Sequence, residues 1–278
     1  MSTSTWCPLR VVRWILRSTR RKIVRSCLTF VAKTCKEYQP PAGRVLVVAP
    51  HPDDEVFGAG GTIAAAVLRG CCVTVAFLSR GEASHDGCCR LEPDRVGAER
   101  KSLAEASGKL LGLESDRLRW LDLPDGGIPG KGDEGFSEAV RKLIRILQTE
   151  KPDTVLLPHP RDAWPDHMAA AEIGLEAVRA SGFACDVVHY VVWAWYDLTL
   201  RGLLHIDRRA ARRVDITEIG DRKRAAIRCY FDGIAPGCNK PWCGQPPRGF
   251  LGCFLRDYEL LFLGPSFVRR TNEIAGST

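Results

Sequence analysis

The sequence predicts an α/β fold with a mostly parallel sheet and helices on both of its faces, in three layers. Short apolar runs rich in Val, Ile and Leu alternate with amphipathic stretches of helical period from residue 44 to residue 195. The apolar runs have no polar face of their own, which is the pattern of strands covered on both sides. A further observation sets one segment apart. Nine of the 40 Lys and Arg residues fall within the first 36 positions, where there is no acid. The rest of the chain carries 31 basic and 33 acidic residues, so the formal charge of +7 belongs to a basic N-terminal helical arm.

Strands are expected at residues 44–50 (RVLVVAP), 71–79 (CCVTVAFLS), 118–123 (LRWLDL), 153–158 (DTVLLP) and 187–195 (VVHYVVWAW). The helices between them are expected at 58–70, 94–112, 135–151 and 166–181. Beyond these, 212–217 is a candidate strand and 218–231 a candidate helix. Residues 232–249, rich in Gly, Pro and Cys, have the composition of an irregular surface loop. The Pro/Gly break at 38–43 divides an arm, residues 1–38, from a domain, residues 39–278. In open α/β sheets ligands bind beyond the carboxyl ends of the strands. Chemistry is therefore to be sought just after Pro50, Ser79, Leu123 and Pro158.

In the arm, Leu9, Val12, Trp14, Ile15 and Leu16 interleave with Arg10, Arg13, Arg17, Arg20, Arg21 and Arg25. No apolar run approaches the ~20 residues that span a bilayer, and the compact apolar core of a secretory signal is missing. Two readings weigh about equally. One is a basic amphipathic helix on an anionic membrane surface, with Trp14 at headgroup level. The other is a helix packed on the domain with a solvated basic face. An Arg-rich transit peptide and a twin-arginine signal around STRRKIV are weaker readings. The chain is expected in the cytoplasm, with peripheral contact at the inner membrane surface under the first reading. The near-neutral body argues against nucleic acid as a partner.

Twelve cysteines do not form a disulfide pattern. Cys71 and Cys72 are neighbours in a strand and point to opposite faces, and Cys88 and Cys89 sit side by side in a loop. Reduced thiols suit a large enzyme-like chain without a secretory signal. Cys229, Cys238, Cys243 and Cys253 could hold a structural zinc, although none of their spacings is a CxxC knuckle.

Two strand ends look alike. PHPDDE (50–55) follows the first strand and PHPRDAWPDH (158–167) the fourth. A helix cap accounts for one Asp, but it leaves a His-Pro-Asp-Asp unit and a second His/Asp cluster unexplained. If the loops converge, two His and one Asp make a ligand set for Zn²⁺ with a position left open for water. An adjacent carboxylate would then serve as the base. The acids after the first strand would repel a pyrophosphate, which sets a dinucleotide enzyme aside.

PHPDDE, then GAGGT, then a late PDH resembles the LmbE/PIG-L family of zinc-dependent N-acetylglucosaminyl deacetylases. The resemblance runs from about Arg44 to Asp232, with echoes in LSRGEAS (78–84) and LDLPDGG (121–127). It implies a Rossmann-like fold and one Zn²⁺ per chain, or another divalent metal in its place, held by His51, Asp54 and His167. It implies Asp53 as general base and Asp125 as a substrate-contacting acid. His159 is nearer its strand, but the family pattern favours His167, with Asp166 as its cap or hydrogen-bonding partner. The implied reaction removes an N-acetyl group from an N-acetylglucosamine moiety of a lipid-linked, cell-wall or small-molecule glycoside. The oligomeric state is not specified by any of these features.

Trp164 departs from the family, which usually has His at this position. An indole donates a hydrogen bond but cannot shuttle a proton near neutral pH. Asp53 could then serve as both base and acid, or His85 or His159 could substitute. Alternatively the enzyme is weak, or its substrate stacks on Trp164. If catalysis is lost altogether, the alternative function is a metal- or carbohydrate-binding member of the same fold. A packing role under the loop weighs as much as any functional one for Trp164.

Overall fold

The structure, a computed structural model, describes residues 8–267, with side chains from Arg13 onward except that of Trp14. The Trp14, Leu9, Arg10 and Val12 side chains, on which part of the membrane reading rests, lie outside the described residues.

A 27-residue helix α1 (Pro8–Thr34) leads into a short strand β1 (Lys36–Glu37). Then β2 (Arg44–Ala49), α2 (Asp54–Leu68), β3 (Cys72–Phe77), α3 (Pro93–Leu111) and β4 (Leu118–Trp120) follow. After α4 (Phe136–Glu150) come β5 (Thr154–Pro158), α5 (Pro165–Ser181) and β6 (Cys185–Tyr190). The C-terminal part holds α6 (Ala194–Asp197), α7 (Leu200–Leu204), β7 (Ala211–Asp215), α8 (Gly220–Asp232), the hairpin β8 (Ile234–Ala235) and β9 (Lys240–Pro241), and β10 (Tyr258–Phe267).

Eight strands form one sheet in the order β1-β7-β10-β6-β5-β2-β3-β4. The run β6-β5-β2-β3-β4 is parallel throughout, and β10 lies antiparallel between β6 and β7. The expected mostly parallel sheet is therefore present. Along β2, Val45, Val47 and Ala49 pack into one core with α1, α2, α3 and α8. Leu46 and Val48 pack into the other, with α4 and α5. This is the period-2 alternation of a strand covered on both faces.

From β2 the chain moves outward to β3 and β4, then returns to place β5 on the other side of β2. The sheet order thus reverses between β2 and β5, which opens a crevice at their carboxyl ends. PHPDDE and PHPRDAWPDH leave from these two ends.

Close packing of α2 explains its glycines. A Cβ on Gly58 would lie 2.0 Å from a ring carbon of Tyr190, and one on Gly61 would lie 2.6 Å from Ile216. The glycines thus bring α2 onto β6 and the β7–α8 turn.

Strand β10 has no counterpart in the sequence reading. It carries Gly264 and Pro265 and a buried acid, all atypical of a central strand. Glu259 sits 2.6 Å from Lys223 and accepts from the Gly61 and Thr62 backbone N–H groups and the Thr62 hydroxyl. Every oxygen of this buried carboxylate is satisfied, which lets it sit where an apolar residue was expected.

One face of α1 belongs to the body: Val24, Leu28, Val31 and Ala32 are buried in the larger core, and β1 pairs with β7. Arg20 pairs with Asp197, and Arg21 stacks on Tyr196 at 3.9 Å. The other face exposes Arg13, Ile15, Leu16, Arg17, Lys22, Ile23 and Phe30. No described helix is long and apolar enough to cross a membrane.

Candidate active site

The loop after β2 closes on itself before α2 begins. The His51 N–H donates to Asp54 Oδ2 (3.0 Å), and the Asp53 N–H donates to Glu55 Oε2 (2.9 Å). Glu55 Oε1 in turn accepts from the Tyr230 hydroxyl at 2.5 Å. These bonds hold Asp53 at φ 115°, a conformation rare for a residue with a side chain. Asp53 occupies the cap position of α2 but makes no capping hydrogen bond. Its carboxylate faces Arg100 at 3.2 Å instead.

The three predicted ligands come together. Asp54 Oδ2 lies 3.1 Å from His51 Nδ1 and 3.2 Å from His167 Nε2, and all three residues are largely buried. Each imidazole is backed by acids on its far side. His51 Nε2 lies 2.9 Å from Asp166 and 3.1 Å from Asp125. His167 Nδ1 donates to Asp162 at 2.7 Å. Asp162 is fully buried and also accepts from the N–H groups of Val192, Trp193 and Ala194. Carboxylates placed behind both rings fix the tautomers and leave a lone pair on each inner nitrogen, as in metal-ligating histidines.

One atom tests whether a cation fits. His167 Nε2 is buried and has no hydrogen-bond partner, a costly arrangement unless a Lewis acid takes the lone pair. The inner nitrogens and the Asp54 carboxylate suit a divalent ion of the zinc type.

The same contacts set the charges. Burial pulls the His51 imidazole down, but hydrogen bonds to Asp125, Asp166 and Asp54 outweigh it and hold its pKa well above the ordinary value. Burial likewise opposes His167, yet Asp54 and Asp162 raise it to about 9 in the absence of a cation, so a metal bound at Nε2 takes the place of a proton there. Asp54, despite burial, is held well below the usual carboxylate range by His167 and His51. Asp53 moves the other way. Burial, with Asp54 and Glu55 beside it, pushes it well above that range even though Arg100 opposes the shift. Paired acids with pKa values driven apart are suited to different tasks.

Arg100 was not anticipated. It is buried on α3, and its guanidinium donates to the carbonyls of Gly81 (3.0 Å) and Pro52 as well as facing Asp53. Trp193 and Asp162 were also missed as site residues. Trp193 lines a small cavity of about 110 Å³ together with Asp53, Asp54, Phe57, Phe231, Cys243, Gln245, Pro246, Pro247 and Phe250. Trp164, 40% exposed, stacks on Trp193 with ring centroids 4.6 Å apart. Only Asp162 had a local signal, five residues before His167. A larger cavity, about 590 Å³, lies elsewhere, among Arg13, Arg17, Lys22, Arg25 and Tyr196 on the basic arm.

Three readings are corrected by these contacts. Asp166 serves His51 and the Gly126 and Ile128 N–H groups, whereas a role beside His167 or as a cap was expected. The reason is that it points across the crevice to β2, and Asp162 is already behind His167. Cys229, Cys238, Cys243 and Cys253 do not form one metal-binding group among the described residues. Cys243 donates to the Tyr230 carbonyl and Cys253 to that of Gly249, while Cys238 turns to the β3–α3 loop. Their closeness in sequence is undone by the β8–β9 hairpin. His85, a candidate proton shuttle, has Nε2 on the Pro241 carbonyl and Nδ1 among thiols.

His159 lies edge-on to His189 and Phe262, and its Nδ1 accepts from the Arg161 N–H. Burial, then His189 and Arg161, lowers its pKa from 6.5 to about 4. The unfolded chain therefore takes up this proton first. His159 favours the fold above pH 6.5, and that contribution is lost as the pH falls, by about 3 kcal/mol near pH 4. Urea midpoints at about pH 7 and about pH 4.5 should fall further apart in the wild type than in His159→Phe. Equal acid sensitivity in the two proteins would refute this role.

Residues 46–178 match the sequence profile of the PIG-L family, described as GlcNAc-PI de-N-acetylase. The matched stretch is just under half of the chain. Over 144 residues it is 31% identical to diacetylchitobiose deacetylase of Thermococcus kodakarensis, covering 50% of each chain. Over 164 residues it is 31% identical to 1D-myo-inositol 2-acetamido-2-deoxy-alpha-D-glucopyranoside deacetylase of Rhodococcus erythropolis, covering 51% of this chain and 55% of that one. The match thus spans about half the length of these curated relatives. Among solved structures, N,N'-diacetylchitobiose deacetylase of Pyrococcus horikoshii superposes with a TM-score of 0.60 at 22% identity, covering 95% of this chain and 94% of the other. That likeness supports the α/β fold alone.

Proposed function

We propose that this protein is a metal-dependent hydrolase of the PIG-L type that removes an N-acetyl group from an N-acetylglucosamine moiety of a glycoconjugate. The observation that carries the reading is the buried His51–Asp54–His167 group, with the unpartnered His167 Nε2 and with Asp53 beside it. A Zn²⁺ ion held by these three residues, one per chain, would supply Lewis acidity to the amide carbonyl and acidify the attacking water. Asp53, raised in pKa and adjacent to Asp54, takes the proton of that water and returns it to the departing amine. It performs both transfers because His85 is engaged elsewhere and Trp164 carries no titratable group. Arg100 keeps Asp53 aimed at the site, and Asp162, Asp125 and Asp166 hold the two imidazoles in register. The aromatic and proline walls of the small cavity suit the methyl of an acetyl group. Asp125, beside His51, and Trp164, stacked and partly exposed, are the proposed contacts of the sugar.

The two relatives are named for an acetylated chitobiose and an acetylated glucosaminyl-inositol, and both glycosides are test substrates. Acetate release that stops with a chelator and returns with zinc is the expected result. Metal binding without release from any N-acetylglucosaminide would favour a binding module instead.

In this reading residues 39–278 carry the deacetylase unit. Residues 1–38 form a basic arm that contacts an anionic membrane from the cytoplasmic side and brings the site to lipid-linked substrates. Its exposed Arg13, Arg17 and Lys22 supply the charge. Removing the whole arm would strip Val24 and Leu28 from the core, so charge reversal is the cleaner test. The combined Arg13→Glu, Arg17→Glu and Lys22→Glu variant should lose co-sedimentation with phosphatidylserine vesicles while keeping its melting temperature. Undiminished vesicle binding would rule the arm out as the contact.

A further inference from the structure

A second cluster of metal-ligating side chains lies outside the acid site, and the proposed reaction makes no use of it. It joins the loop between β3 and α3, which contains the stretch HDGCC, to the β8–β9 hairpin. His85 is buried, and its Nε2 donates to the Pro241 carbonyl at 3.0 Å. That bond leaves Nδ1 as the acceptor nitrogen. Cys88 Sγ and Cys89 Sγ each stand 3.4 Å from Nδ1, and Cys238 Sγ stands 3.5 Å from it. The Cys88 and Cys89 sulfurs are 3.7 Å apart, and all four ligand atoms lie within 4.8 Å of one another.

These spacings can be compared with a coordination sphere. With Zn–N of about 2.05 Å and Zn–S of about 2.3 Å, a tetrahedron has N–S edges of about 3.5 Å and S–S edges of about 3.8 Å. The three N–S distances and the Cys88–Cys89 distance agree with those edges. A carbonyl accepting the outer N–H of the imidazole is the usual support of a metal-bound histidine.

We propose that His85, Cys88, Cys89 and Cys238 bind one zinc ion as a closed Cys₃His structural site. Binding displaces the three thiol protons to solvent and leaves no open position, so the ion has no catalytic part. Its work is to staple two walls of the crevice. On one side, the loop that carries His85 also holds Asp125, through the Ala83 N–H (2.8 Å) and Glu82 Oε1 (3.1 Å). On the other, the chain after the hairpin supplies Gln245, Pro246, Pro247 and Phe250 to the cavity beside Asp53. Between them in the described residues run only a few polar links, such as the Ser84 hydroxyl to the Trp242 carbonyl at 2.9 Å.

The test uses the full-length chain loaded with Co²⁺ in place of zinc. Thiolates bound to cobalt give an intense near-ultraviolet charge-transfer band, which the thiolate-free acid site cannot produce. The band is expected in the wild type, lost in Cys88→Ser/Cys89→Ser and in Cys238→Ser, and kept in Cys229→Ser. It should persist in His51→Ala, so the result stands apart from whether the acid site is a deacetylase. Zinc content should fall by one ion per chain in Cys88→Ser/Cys89→Ser and in Cys238→Ser, and stay unchanged in Cys229→Ser. If Cys238→Ser fails to fold, Cys238→His retains four ligands and should keep a weakened band. A wild-type protein with no thiolate band overturns the proposal. So does a disulfide that peptide mapping of the unreduced chain finds at Cys88, Cys89 or Cys238, since it would then occupy the cluster.

Discussion

Asp53→Asn is expected to slow acetate release about 10²–10⁴-fold, the usual contribution of a general base, while the bound metal stays in place. Asparagine has the same shape and tolerates the left-handed backbone that Asp53 adopts, so the turn that carries His51 and Asp54 should survive. The N–H that donates to Glu55 is unchanged as well. Only the proton-accepting oxygen is lost, together with the charge facing Arg100. Metal content measured beside the rate separates this outcome from a collapsed site. A variant that retains both metal and rate would place the base elsewhere.

The second large effect is expected at Asp162. Its carboxylate takes the His167 Nδ1–H and three backbone N–H groups in a fully buried position. Asp162→Ala leaves those donors without an acceptor, and breaking a buried pair of this kind costs about 3–5 kcal/mol. Metal affinity should fall about 10–100-fold, because the ring is no longer held in its tautomer. Chelator competition and thermal unfolding, measured together, give both numbers. Asp162→Asn keeps an acceptor for the backbone, so it should recover much of the stability and less of the affinity. Lost stability with unaltered affinity would make Asp162 a staple of the β6–α6 turn and nothing more.

The grouping of His51, Asp54 and His167 was legible because each half of it is local. His51 and Asp54 are three residues apart, and His167 stands in a run of its own. Arg100 and Trp193 were not legible, since each reaches the crevice from an element whose sequence has no reason to mark it. Arg100 looks like any basic residue of an amphipathic helix until Asp53 is placed against it. Residues 191–195 continue an apolar run, so they read as strand, although the chain turns after Tyr190 and puts Trp193 in the cavity wall. The cysteines misled for the same reason. Four in the C-terminal segment invited a single site, whereas Cys238 meets two thiols and an imidazole from a loop some 150 positions earlier.

Strand and helix periods, and the faces they bury, follow from the sequence alone, because a hydrophobic pattern records at every step which side of an element leaves water. The residue types of the site follow from it too, since imidazole and carboxylate are the chemistry whatever the fold. Partnership does not. Which acid stands behind which ring, and which nitrogen is left free, depend on the sheet order that sets β2 beside β5 and on the packing that turns Asp162 and Asp166 to different histidines. Those choices are made by long-range contacts, each costing chain entropy that the whole core offsets together. No short stretch of sequence contains that balance.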